Sequence, residues 1–439
     1  MDPARGNYLP VSTSEPLVAE ACRIFYARLL RIDPGVESIL ETATQFPEEP
    51  AAQLASAFLW LFGQTPEAQK QAAKYLAQAD QYRNRLSARE IAWLDAMASW
   101  HAREFEATAT AFEEITTRWP QDLPAAKAAE FIYYILGQHA SGPRFLAHME
   151  RLAPYHREDP DYLAVTAFAH ELCGNAGAAR DHAEQALQIA PINPWAQHAL
   201  EHVLLWEGSP DDAVARLESW LGSWAHSGRV IHCHNAWHVA LMHLDRLNVS
   251  RAFAIYEEHV WGHTPEFVVE QLDAIAFLWR AEMAGFPVGK ERYQAIAKYI
   301  APLAGTLFMP FVSAQYAYAL ARAGEQDALD EMLRQVDLRS AADDVDARWA
   351  WAPVGRNIVQ ASALLGKDQP ALAAELLDPV MDRMPRIGGS DAQDDLFRFA
   401  HMDSLNRAGR KTDARTLLGR RLSQKSPSPL EEDLLVKLG

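Results

Sequence analysis

Eleven of the 16 histidines fall between His170 and His263, and imidazole is the side chain that both exchanges a proton near pH 7 and binds transition metals readily. His198 and His202, and again His234 and His238, stand four residues apart, the spacing that puts two side chains on one face of a helix. His198-Ala-Leu-Glu201-His202 spells H-x-x-E-H, known from a class of zinc peptidases. That spelling still needs a third ligand from a distant helix. No cofactor is expected from these motifs, and the alternative is a divalent metal held jointly by His202, His234 and His238 if their helices face one another. His232 and the pair His259-x3-His263 have chelating spacing as well. Without a metal, the same residues suit acid-base work, one of His198, His202, His234 and His238 moving a proton while Asp273 or Glu201 orients it and Arg356 holds an anionic group.

Trp195, Asn235, Trp237, Trp279 and Arg280 lie among these residues, and a lining of tryptophan, histidine, aspartate and arginine is what a small molecule or a peptide terminus requires. The bland alternative is packing between helices, the histidines bonding to carbonyls and neighbours. Trp60, Trp93, Trp100 and Trp119 follow helical spacing and are expected in the core. Cys22, Cys173 and Cys233 are too few and too scattered for a disulfide framework.

The elements that must position these side chains are helices. Apolar residues recur at three- and four-residue spacing, alanine is abundant and strand signals are nearly absent. A turn residue recurs at Gly137, Gly174, Gly208, Leu247, Gly285, Gly324, Gly366 and Gly409, with spacings of 34 to 43 residues. Five residues beyond the turn stands Ala179, Ala213, Ala252, Ala371 or Ala414, small enough for close helix approach; Ala328 follows by four, and Lys290 replaces it after Gly285. Gly174, Ala179, Ala186 and Pro191 match the tetratricopeptide pattern, and the 34-residue step from Gly174 to Gly208 equals its period. The expected fold is therefore all-α, a tetratricopeptide-like helical-hairpin superhelix (α-solenoid) with irregular repeats. An unstructured segment is expected over 1–14 and a single domain over 15–438, clearest over 160–262, with PLEEDLLVKLG as a polar-faced closing helix.

With Gly208 at place 15 of its repeat, Trp195, His198, His202 and Trp206 take places 2, 5, 9 and 13, which face the concave side. With Leu247 as the turn, His234, Trp237 and His238 take places 2, 5 and 6; Arg356 takes place 5 of the unit turning at Gly366.

A formal charge of -17 repels a phosphate backbone and an anionic membrane surface, so neither nucleic acid nor membrane is an expected partner. The first residues carry no basic start with an apolar run, and no stretch reaches the roughly 18–20 apolar residues of a membrane span. A cytoplasmic location is expected.

Three segments, HCHNAWHVALMHLDRLNVSRAFAIYEEHVWG (232–262), LDAIAFLWRAEMAG (272–285) and IGGSDAQDDLF (387–397), resemble the signature of the tetratricopeptide repeat protein 38 family. The likeness spans roughly residues 15–438. It implies a strongly curved or closed superhelix without an assigned reaction, and marks His232, His234, Asn235, His238, Gly388, Gly389, Ser390, Ala392 and Gln393 as signature positions. Ser390 and Gln393 also spell a capping box, an alternative to an anion contact at that helix start. The expected function is binding of a small molecule or short peptide in a pocket lined by histidine and tryptophan; the alternatives are an enzyme in the same cavity and a protein scaffold.

Overall fold

The computed structural model describes residues 9–63 and 65–439. Among them are 24 α-helices, with short 3-10 and π-helical stretches and no strand. No described helix is long and apolar enough to cross a membrane. Of the expected unstructured segment 1–14, residues 1–8 lie outside the described residues. Residues 9–14 form no helix but are tied down: Ser12 N–H donates to Glu90 Oε1 at 2.8 Å and Arg89 to the Pro10 carbonyl at 3.1 Å.

The chain folds as two compact units, the first from residues up to 136, 141–199 and 226–228, the second from 137–140, 200–225 and 229–439. Both are built from successive helical hairpins closed by one recurring bond. After a turn residue with positive φ, the next N–H donates to the carbonyl five residues back: Asn175 to His170 at 3.0 Å, Ser209 to Leu204 at 2.9 Å and Asn248 to His243 at 2.8 Å. This bond satisfies a carbonyl that the helix end would otherwise leave open.

Gly366 is not such a turn residue. The helix Arg356–Gly366 includes it, and Asp368 takes the left-handed conformation (φ 56°), with Gln369 N–H donating to Leu364 at 2.9 Å. The register of that repeat therefore moves by two residues. Ala373, not Ala371, is the fully buried alanine five residues past the turn, and the inward place assigned to Arg356 belongs to the fully buried Ile358. Arg103 (φ 65°) is a further turn residue, closing Ala88–His101 onto Phe105–Arg118 through Glu104 N–H to Ser99 at 3.0 Å.

In the first unit Trp93 and Trp100 lie in the core, in edge-to-face contact with Phe58 and Phe112 (Phe58–Trp93 centroids 4.9 Å). Trp60 and Trp119 are only half-buried; the Arg118 guanidinium covers the Trp119 ring at 4.5 Å. In the second unit Trp224, Trp237, Trp279 and Trp351 are buried, Trp279 stacked on Tyr318 at 3.8 Å.

Candidate functional site

The second unit encloses a cavity of about 110 Å³. Five helices and the closing segment build it, Lys411–Leu422 among them with Leu418 and Arg421. From Pro194–Trp206 come His202 and Trp206; Arg229–Asp245 gives Leu241, Leu244 and Asp245; Val268–Met283 gives Arg280. Asp391–Arg407 presents Asp391, Asp395 and Phe399 at four-residue steps, one face of the helix. Pro429–Lys437 and the residue after it contribute Leu430, Leu434 and Leu438, so the expected polar-faced closing helix buries an apolar row against the cavity.

The cavity is apolar on one side and charged on the other. Arg280 donates to the Ala392 carbonyl at 2.6 Å, while its buried Nε–H has no partner among the described residues. Burial brings the Arg280 guanidinium down to about 10, opposed by Asp395 and Asp245. Arg421 bridges Asp395 (2.7 Å) and Glu431 (2.6 Å), and Lys425 also reaches Glu431 at 3.1 Å.

Burial pushes the Asp245 carboxyl up to about 6 against the pull of Lys425, its hydrogen bond being a long one from Ser209 Oγ at 3.5 Å. The unfolded chain gives up this proton near pH 4 and the folded chain only near 6, so stability falls as pH rises through that window and stays lost above it. Asp245→Asn is expected to be more stable than the parent by about 3 kcal/mol at pH 7.5. Urea midpoints should converge below pH 4; an equal difference at both pH values would contradict the assignment.

Among the residues expected from sequence, His202, His234, His238 and Asp273 come together. His202 Nδ1 lies 3.1 Å from Asp391 Oδ1, and Trp206 Nε1–H donates to the other oxygen of that carboxylate at 3.3 Å. His234 Nδ1 lies 3.0 and 3.1 Å from the two oxygens of Asp273, whose carboxyl burial raises. His238 sits between the two histidines, ring centroids 4.7 Å from His202 and 4.8 Å from His234. Trp237 is fully buried against both His234 (5.2 Å) and His238 (4.7 Å), and Asn235 is buried beside them in sequence.

The others are placed differently. Trp195 and His198 belong to the first unit, stacked on each other at 4.7 Å with the Lys127 ammonium 3.6 Å over the Trp195 ring. Glu201 is fully buried, which drives its carboxyl well above the usual range. Trp279 borders a more open cleft of about 640 Å³ with Lys290 and Arg322. Arg356 is exposed, its Nε donating to Asp337 at 2.7 Å, because the turn at Asp368 rotates it out of the inward place. His232 accepts from Arg229 at 3.2 Å and lies 3.3 Å from His259; burial brings its imidazole down to about 4, fitting a neutral packing role. Burial also lifts the Cys233 thiol well above its ordinary value, which leaves it protonated and unreactive.

The segment 387–397 has a local and a long-range role. The capping box forms, Gln393 N–H donating to Ser390 Oγ at 3.4 Å and Ser390 N–H to Gln393 Oε1 at 3.1 Å. Its carbonyls serve other helices: Gly389 accepts from Gln138 N–H at 3.1 Å and Ala392 from Arg280. Sequence reading missed Asp391, Asp395, Asp245, Arg421 and the three leucines; the four-residue steps Asp391-Asp395-Phe399 and Leu430-Leu434-Leu438 are the signals that could have found them. No model of a known protein family matches the chain.

Proposed function

We propose that the second unit binds a small organic anion with a short apolar body. The observation that carries this is Arg280: a buried guanidinium on the charged side of the cavity, with Arg421, Lys425 and the carboxyls of Asp245, Asp391 and Asp395, whose Nε–H is unspent and which faces an apolar side of Leu241, Phe399, Leu418 and Leu434. A carboxylate accepts from such a donor in a charge-assisted bond, and the leucines cover the rest of the ligand. The volume sets the size, since an apolar cavity of about 150 Å³ takes up benzene. At about 110 Å³ this chamber is smaller, so a ligand of about four or five heavy atoms fits, which favours a small molecule over a peptide segment.

The test is calorimetric titration with propanoate, 1-propanol and propylamine. Propanoate is expected to bind best, and Arg280→Met to weaken it about 10- to 100-fold, the loss of a hydrogen bond to a charged group. Equal binding of the alcohol, or no binding of propanoate, would remove the reading. A catalytic role is favoured by one further observation: His202 stands in the cavity wall with Asp391 on its Nδ1, the arrangement that orients an acid-base histidine. The signature segments make a divergent member of the tetratricopeptide repeat protein 38 family our reading of the chain's kinship.

A further inference from the structure

We propose that Asp245 is a second ligand-binding residue of the chamber, taking a proton from solvent as a carboxylate enters and donating it to the carboxylate oxygen that Arg280 does not bond. The inference rests on the chamber being a carboxylate site and adds a proton to what is bound there.

Four aspartates line the chamber, and three of them are committed elsewhere. Asp391 is engaged by His202 and Trp206 and accepts from the Ala392 N–H at 2.7 Å. Asp395 accepts from Arg421 at 2.8 Å and Arg398 at 3.2 Å, and Asp403 accepts from Arg407 at 3.2 Å. Asp245 has one hydrogen bond among the described residues, from Ser209 Oγ at 3.5 Å, which is long for such a bond. The cations around it have other partners: Lys425 has Glu431, Arg421 has Asp395 and Glu431, and Arg280 has the Ala392 carbonyl. Arg246, next in sequence, donates to the Ser209 carbonyl and pairs with Asp211, while His243 pairs with Glu218 at 3.3 Å.

A bound carboxylate presents two oxygens, and the single unspent Nε–H of Arg280 satisfies one of them. An ionised Asp245 would meet the other with like charge, and two carboxylates placed together do not both stay ionised; they share one proton. Protonated, Asp245 supplies an O–H···O⁻ bond, which is of the strong, charge-assisted kind. The proton comes from water or buffer, and no covalent bond between heavy atoms changes. Burial lifts the Asp245 carboxyl to about 6, with Lys425 opposing, Glu431 reinforcing, and Arg280 and Arg421 opposing. Above that pH the competent, protonated fraction falls about 10-fold per unit, and affinity falls with it.

The experiment titrates the full chain with propanoate by calorimetry at pH 6, 7 and 8, each in two buffers of different ionisation enthalpy, so that the difference in heat counts protons. About one proton is expected to be taken up per propanoate at pH 7, with binding about 10-fold weaker at pH 8 than at pH 7. Asp245→Asn carries a permanent amide donor. It is expected to bind propanoate equally at all three pH values and to take up no proton, a result that a merely structural Asp245 would not give. Should that variant not fold, the proton count of the parent decides. Binding without proton uptake, or uptake that persists in Asp245→Asn, overturns the proposal and leaves the carboxylate site standing. No propanoate binding at any pH overturns both.

Discussion

Arg421→Ala is expected to lower the unfolding free energy by about 3–5 kcal/mol at neutral pH, the usual loss when one member of a buried ionic network is removed. The guanidinium is 14% exposed, bridges Asp395 and Glu431, and lies 4.9 Å from the Phe399 ring. Its removal leaves Asp395 without its closest cation. Against the cost of burial, Arg421 with Arg398 holds the Asp395 carboxyl well below its usual range, and Arg421 with Lys425 does the same for Glu431. Groups depressed in this way stabilise the fold above the unfolded value near 4 and lose that contribution as pH falls below it. The difference between parent and variant should therefore shrink in acid. Urea unfolding at pH 7 and pH 2 measures it, and a loss that is constant across this range would contradict the network account. Amides of Pro429–Lys437 should exchange faster in the variant, because Glu431 is what ties that helix to Arg421.

Gly137→Ala is expected to cost about 3 kcal/mol or more, and Gly409→Ala about 1–2 kcal/mol. Both glycines have positive φ, 93° and 83°, so the conformational part is shared. A Cβ on Gly137 would lie 1.8 Å from the Pro385 carbonyl oxygen and 2.8 Å from its carbon, backbone atoms that cannot rotate away; a Cβ on Gly409 would meet nothing within 4 Å. The Gly137 variant must displace 385–389, and with it the Gln138 to Gly389 bond two residues ahead of Asp391. It should therefore lose ligand binding, whereas the Gly409 variant keeps it. Equal thermal shifts for the two would show that the close approach is not what the glycine serves.

The helical fold was legible because hairpin turns need a left-handed residue, and glycine supplies it cheaply. The reading failed where another residue accepts that strain. Arg103 hid the hairpin Ala88–His101 with Phe105–Arg118, and Asp368 beside Gly366 put the count off by two, which is why Arg356 was expected inside and lies outside. Residues within one helix were placed well: the spacing of His234 and His238 and the register of His202 follow from 3.6 residues per turn. Ser390 and Gln393 were also readable, since a capping box is a local matter. Asp391 lies between them in sequence, yet what gives it meaning is His202, 189 residues away. No local pattern encodes such a partner, and the same holds for Arg421 with Asp395 or Arg280 with Ala392.

That separation of 189 residues bears on how the protein refolds. Helical hairpins assemble from neighbours in the chain, with little loop to close, so most of the array can form quickly. The His202–Asp391 contact closes a far longer loop and depends on every hairpin between having docked. Recovery of far-ultraviolet dichroism after dilution from urea should therefore run ahead of recovery of binding, the chain regaining its helices in one kinetic phase and its chamber only in a later one.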